Sequence, residues 1–246
     1  MGLTIHYQMV APQAQNLDDA RKLIEQLRAF ALSLDFQECS EVQCIEHFDN
    51  PIFASFFSYL QPYKYDDGTE SFLQVPPLHL VQFTVKQEGA ETAVFGLARY
   101  SDTGLDIRDE SIRRPSGIGE GYRTSRFCNT QFASLSNAGG WDNFFKIHDG
   151  ICRILDHAKA LGLDVHVCDE GGYWESREVP ALKEEVARWN GLVAAVTGHL
   201  RDSKGRDAVA SPITDTPEFD HLEAAGEELF REKLNQINPD DFSANP

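Results

Sequence analysis

An α+β two-layer domain is what this sequence predicts, on three observations. Residues 3–10 alternate, with Leu3, Ile5, Tyr7 and Met9 on one side, and a helical stripe follows at Leu17. The same succession returns later, where a strand pattern starts at Phe127 and a helix pattern at Trp141, an identical offset in both cases. Between the two units, residues 78–87 and 91–100 flank a short glycine turn and read as a β-hairpin. Two strand–helix–strand units with a hairpin inserted between them correspond to the ferredoxin-like plan, with helices mainly on one face of a mixed or antiparallel sheet.

The elements follow in order. The alternation at 3–10 is that of a half-buried strand. Asn16 is placed to cap the next helix, with Asp18 and Asp19 favourably in its first turn. Leu17, Ala20, Leu23, Ile24, Leu27, Phe30, Ala31 and Leu34 form that helix's apolar stripe over 17–34. A strand is expected within 36–48. Residues 49–76 carry Phe53, Phe56, Phe57, Tyr59, Tyr63 and Tyr65 and read as irregular, with a tight turn at Asp67-Gly68 and a stop at Pro76-Pro77. The aromatics there fit a protein-binding patch or packing under the hairpin, and core is the default. Residues 101–122 read as a polar, glycine-rich loop.

The second unit places a strand at 127–133, a loop at 134–140, a helix at 141–161 ended by Gly162, and a strand at 163–168. Pro180 opens a third helix over 181–200, since proline is tolerated in a first turn. Residues 1–200 thus form one predicted domain. Residues 201–246 hold five bases against eleven acids and two interrupting prolines. They are expected to be an acidic appendage, partly helical over 219–234, and docked or mobile.

Composition excludes several classes. Hydrophobic residues make up 41%, enough for a core, yet no run approaches a membrane span. Residues 1–6 show neither a basic region nor an apolar signal core, so secretion is not expected. The five cysteines are odd in number and scattered, without a C-x-x-C pair, which points to reduced thiols in a cytoplasm and excludes a zinc ribbon. A net charge of −17 repels nucleic acid and anionic membranes. It suits a basic protein partner.

Candidate chemistry concentrates where the strand 163–168 runs into Asp169-Glu170-Gly171-Gly172-Tyr173-Trp174. Helix 141–161 and this strand run antiparallel from Gly162, and equal rises place His148 level with Asp169, at the strand's C-terminal end. His148, Asp169 and Glu170 are therefore the candidate catalytic groups, with Gln131, Tyr173 and Trp174 beside them as candidate ligand contacts. Against this stands a charged turn, with the histidine hydrogen-bonded in the core. Cys152 is one turn beyond His148, a metal-compatible spacing, but the sequence shows no clear third ligand, so no metal is assigned and the cofactor is left unknown. Cys128 is expected at the far end of the sheet, away from the carboxylates. A second candidate is the cluster Arg113, Arg114, Arg123 and Arg126, with Arg108, around Gly117, Gly119 and Gly121, which could hold a small anion. The alternative there is pairing with Asp102, Asp106, Asp109 and Glu110.

The segments Met1-Gly2-Leu3-Thr4-Ile5-His6-Tyr7, Phe127-Cys128-Asn129-Thr130-Gln131-Phe132-Ala133 and Asp169-Glu170-Gly171-Gly172-Tyr173-Trp174-Glu175 together resemble a group of uncharacterised bacterial cytosolic proteins of similar length. The resemblance covers residues 1 to about 200. It implies a bacterial cytosolic origin and carries over no activity and no catalytic residue. The acidic surface, the short motif signals and the appended tail make the leading function a non-catalytic binding protein for a protein partner or small ligand. The alternatives are a hydrolase-type enzyme with acid/base or metal-assisted chemistry, and an acidic nucleic-acid mimic.

Overall fold

The first strand, β1 (Thr4–Ala11), buries Ile5, Tyr7, Met9 and Ala11 on one side and leaves His6 and Gln8 exposed on the other. This face assignment governs everything built around it. The structure, a computed structural model, describes residues 3–48, 54, 57–205 and 208–236. Helix α1 (Leu17–Ala31) starts where the Asn16 side chain accepts a hydrogen bond from the Asp19 amide, and it buries Ala20, Ile24, Leu27 and Ala31. A single 3₁₀ turn, Leu32–Leu34, completes the predicted stretch.

The strand expected within 36–48 is two short pieces, β2 (Glu38–Cys39) and β3 (Gln43–Ile45). Ser40 separates them: its hydroxyl oxygen accepts from the Thr84 amide, in place of a backbone carbonyl, and the ladder breaks there. Both pieces pair with the long strand β6 (Pro77–Lys86), whose hairpin partner is β7 (Ala93–Tyr100). Pro77 begins β6 rather than stopping structure. This placement costs no hydrogen bond where an amide is not needed.

Two segments expected as loops are strands. β4 (Tyr59–Lys64), β5 (Glu70–Val75), β8 (Thr103–Asp106) and β9 (Asp109–Pro115) form a second sheet in the order β4-β5-β8-β9, all antiparallel. Leu73 and Val75 pack there with Leu80, Ala98, Tyr100 and Ile118, and Tyr59 and Tyr63 lie against the same cluster. These tyrosines and Phe57 are packing residues; Phe53 and Phe56 lie outside the described residues.

Strand β10 (Tyr122–Asn129) starts five residues earlier than expected, and residues 131–134 are a 3₁₀ turn instead of its continuation. The turn forms because the Asn129 side chain accepts from the Gln131 amide and Ser134 donates back to the Gln131 carbonyl. Helix α2 (Gly140–Ala160) and strand β11 (Asp164–Asp169) follow. Gly162, at φ +87°, makes the turn between them. The main sheet runs β11-β1-β10-β7-β6-β2, with β3 also on β6, and every pair is antiparallel. β10 and β11 both flank β1, so the chain crosses over β1 through α2.

One core fills the space between the sheet and helices α1 and α2: Ile5, Tyr7, Phe83 and Phe95 meet Ile24, Leu27, Ile147, Ile151 and Leu155. A one-turn helix α3 (Tyr173–Ser176) and the long α4 (Val179–Lys204) close that core through Tyr173, Leu182 and Val186. The end of the chain contains α5 (Phe219–Gln236), which packs along α4. Their backbones touch at Gly191 and Gly226, where a methyl on Gly226 would lie 2.0 Å from the Gly191 carbonyl oxygen. No helix among the described residues is long and apolar enough to cross a membrane.

Candidate functional site

His148 and Asp169 meet. The imidazole Nε2 lies 3.2 Å from Asp169 Oδ2, and both side chains are fully buried. The helix delivers His148 among Phe144, Ile147 and Ile151, and β11 delivers Asp169 as its last residue, opposite Ile5 of β1. On its other side His148 Nδ1 is 2.9 Å from the Thr130 hydroxyl, which also reaches the Leu3 carbonyl at 3.2 Å. Thr130 has one hydroxyl proton for two acceptors. All of these contacts are satisfied together only when the ring donates from both nitrogens, as an imidazolium, with Thr130 donating to Leu3. A neutral ring keeps the Asp169 bond and takes the Thr130 proton, giving up the Leu3 contact.

Asp169 accepts three hydrogen bonds. Besides His148, the Gly171 amide donates to Oδ1 at 2.8 Å and the Trp174 amide to Oδ2 at 2.9 Å. Burial alone would raise this carboxyl, but the donors, His148 foremost, outweigh it and hold it below the ordinary range. The carboxylate thus organises the turn that leads into α3 and pins it to α2. Tyr173 sits edge-on to His148 at 6.0 Å and donates its hydroxyl to Asp149 at 2.9 Å; burial and that bond push it up to about 12. Trp174 is half-buried beneath Lys159 and Arg177, 4.4 and 4.7 Å from its ring.

His148, Cys152 and Asp169 bring one ligand atom each within 4.8 Å of one another, so the third ligand lacking in the sequence is Asp169. The donor set does not fit a cation well. Both carboxylate oxygens are already occupied by N–H donors, and burial pushes the Cys152 thiol up. Neither the His148 nor the Asp169 side chain has an exposed atom. The geometry of the pair is that of a structural clasp.

The other predicted residues separate. Glu170 points out and accepts from the Thr4 amide at 2.9 Å. Gln131 is buried but turns to Asn190 of α4 at 3.1 Å, and Asn190 donates in turn to Ser134 at 2.8 Å, a network that joins α4 to the 3₁₀ turn. Cys128 corrects the expectation about sheet ends. Because β10 starts at Tyr122, Cys128 lies at its C-terminal end, opposite Ile5 and level with Asp169. Its thiol donates to the Glu91 carbonyl at 3.2 Å, and burial pushes it up to about 12.

The arginine cluster is divided between the two sheets. Arg113 and Arg114 lie on β9, Arg123 and Arg126 on β10. Arg114 Nε is 3.1 Å from the buried Asp106 carboxylate, and Arg108 stacks on the Tyr65 ring at 3.1 Å. Asp106 also accepts from the Tyr65 hydroxyl at 2.6 Å and the Arg108 amide at 3.0 Å. Led by the Tyr65 bond, these hold its carboxyl down to about 2. Arg126 stands elsewhere, 5.7 Å from the Phe57 ring, and its Nη1 donates to the Ser125 carbonyl.

What the sequence reading missed is the outer face of β11, β1 and β10. His6, Gln8, Ser125, Phe127, His166 and Cys168 are all exposed there. The strand register sets His6 between Phe127 and Cys168, and Gln8 between Ser125 and His166. A cavity of about 380 Å³ opens on this face and is lined by those six with Tyr7, Arg126 and Val167. Phe127 is 57% exposed, its ring 5.8 Å from that of His6. The signal was present as the polar half of each alternating strand. Comparison with protein families, with characterised proteins and with solved structures returned no match.

Proposed function

We propose that this chain is a non-catalytic binding protein and that its ligand is a small planar anion held on the outer face of β11-β1-β10. One observation carries the proposal. The chain has 39 acidic residues, yet none of the nine that line this cavity is acidic, and the imidazoles of His6 and His166 face it from β1 and β11. Phe127 offers an aromatic surface, and Gln8 and Ser125 offer neutral hydrogen-bonding groups, the combination of apolar wall and few polar groups that fixes small ligands. A volume near 380 Å³ is in the range for such sites. The sealed state of His148 and Asp169 supports binding over hydrolysis.

This reading takes the architecture as a ferredoxin-like two-layer arrangement in which helices shield one face and leave the other for recognition. Five free thiols support a reducing compartment such as a bacterial cytosol. The charge of −17 weighs against nucleic acid as the ligand. Isothermal titration of the full chain with benzoate, neutral benzamide and inorganic phosphate tests the proposal. Benzoate is expected to bind, benzamide to bind at least about tenfold more weakly, and Phe127→Ala to lose binding without loss of fold. Equal binding of benzoate and benzamide, or no effect of Phe127→Ala, would overturn the anionic, planar assignment.

A further inference from the structure

The far end of α4 leaves the main core. Leu182 and Val186 belong to that core, Ala194 packs with Ile213 and Leu135, and beyond it Val196, His199 and Leu200 line a groove beside α5. There a second cavity, of about 460 Å³, opens between α4 and α5 and is lined by these residues with Ala195, Phe230, Glu227 and Arg231. Leu200 is 37% and Phe230 40% exposed. A large aromatic left open beside an apolar groove is costly in water and marks an interaction surface.

Charge on the rim selects the occupant. Glu227 and Arg231 are exposed one turn apart on α5, and neither forms an ion pair among the described residues. This acid–base pair is complementary to itself read backwards. When two α5 helices lie antiparallel about a two-fold axis level with Leu229, Glu227 of each copy faces Arg231 of the other. Phe230 of each then lies one residue from the axis, against Phe230 of the other copy, as an isologous contact allows. A basic partner would find only one acid in this groove.

We infer that the chain forms a homodimer through its α4–α5 hairpin, a four-helix contact with Phe230 as the apolar anchor and two reciprocal Glu227–Arg231 pairs at its edge. This dimer surface is separate from the ligand face of β11-β1-β10.

Sedimentation equilibrium of the full chain tests it, because a dimer has twice the chain mass. The wild type is expected to dimerise at or below about 100 μM, an affinity ordinary for one modest interface. Phe230→Lys is expected to be monomeric at that concentration with an unchanged circular dichroism spectrum. Glu227→Arg and Arg231→Glu each create two like-charge contacts and are expected to raise the dissociation constant about tenfold. The double variant E227R/R231E restores the pairs with their signs exchanged and is expected to return within about threefold of the wild type. A monomeric wild type, a Phe230→Lys dimer as tight as the wild type, or a double variant no better than the single ones overturns the inference. If Phe230→Lys unfolds, the charge-exchange series decides alone.

Discussion

Replacing Asp169 with alanine removes the acceptor from three donors at once: His148 Nε2, the Trp174 amide and the Gly171 amide. Each donor left unpaired in a buried site costs about 1–3 kcal/mol. The two amides are at half-buried positions, where water can take over part of the loss. The imidazole is fully enclosed and cannot be reached. The total expected for Asp169→Ala is therefore about 3–5 kcal/mol, the range found when one partner of a buried pair is removed. At about 2–4 °C per kcal/mol for a chain of this size, the melting temperature falls by roughly 6–20 °C. Urea unfolding followed by circular dichroism gives the free energy, and the cycle with His148→Leu gives the coupling. In the double variant no charge or unpaired imidazole remains, so its loss is expected to be smaller than the sum of the single losses by at least about 1 kcal/mol. A loss below about 1 kcal/mol for Asp169→Ala, or simple additivity, would refute the clasp.

Three further outcomes follow from the same geometry. Asp106 is held at about 2 against an ordinary 3.8, so the stability it contributes is fully present above pH 4 and is lost as the pH falls toward 2; Asp169 acts in the same direction. Asp106→Asn is expected to be less stable at pH 7 and to show a shallower fall in urea midpoint between pH 4 and pH 2, within the limits of about those pH values. Gly226→Ala places a methyl 2.0 Å from the Gly191 carbonyl and 2.8 Å from Ala195 Cβ, and is expected to cost about 1–3 kcal/mol and to expose α5 to limited proteolysis, with the main core intact. Thr130→Val removes the hydroxyl that links His148 to Leu3 and is expected to cost about 1–2 kcal/mol in urea unfolding at pH 7.

Much of the main sheet and its helices was legible because period and burial agree there. β1 alternates strictly, α1 carries its cap and stripe, and Gly162 punctuates the turn from α2 to β11. The level placement of His148 and Asp169 followed from helix and strand rises alone. Nothing in that placement told whether the pair faced a cavity, since closure comes from Leu182 and Tyr173, which reach it from α3 and α4. The second sheet escaped for a different reason. β9 exposes six of its seven residues, so it has no apolar side to reveal it, and its arginines resemble those of a loop. Its order comes from backbone pairing to β8 and from Asp106, whose partner Tyr65 lies 41 residues away in sequence. The open face was half legible. The exposed residues of β1, β10 and β11 were readable as polar positions, but their convergence needed the register that puts His6 between Phe127 and Cys168.

The central claim is that recognition occurs on the outer face of β11-β1-β10 and not at the buried histidine–carboxylate pair. Amide chemical-shift mapping during a benzoate titration tests this directly. The account predicts saturable shifts at His6, Gln8, Ser125, Phe127, His166 and Cys168, absent in Phe127→Ala. Shifts confined to His148, Asp169 and Tyr173, or none on β1, β10 and β11, would contradict it.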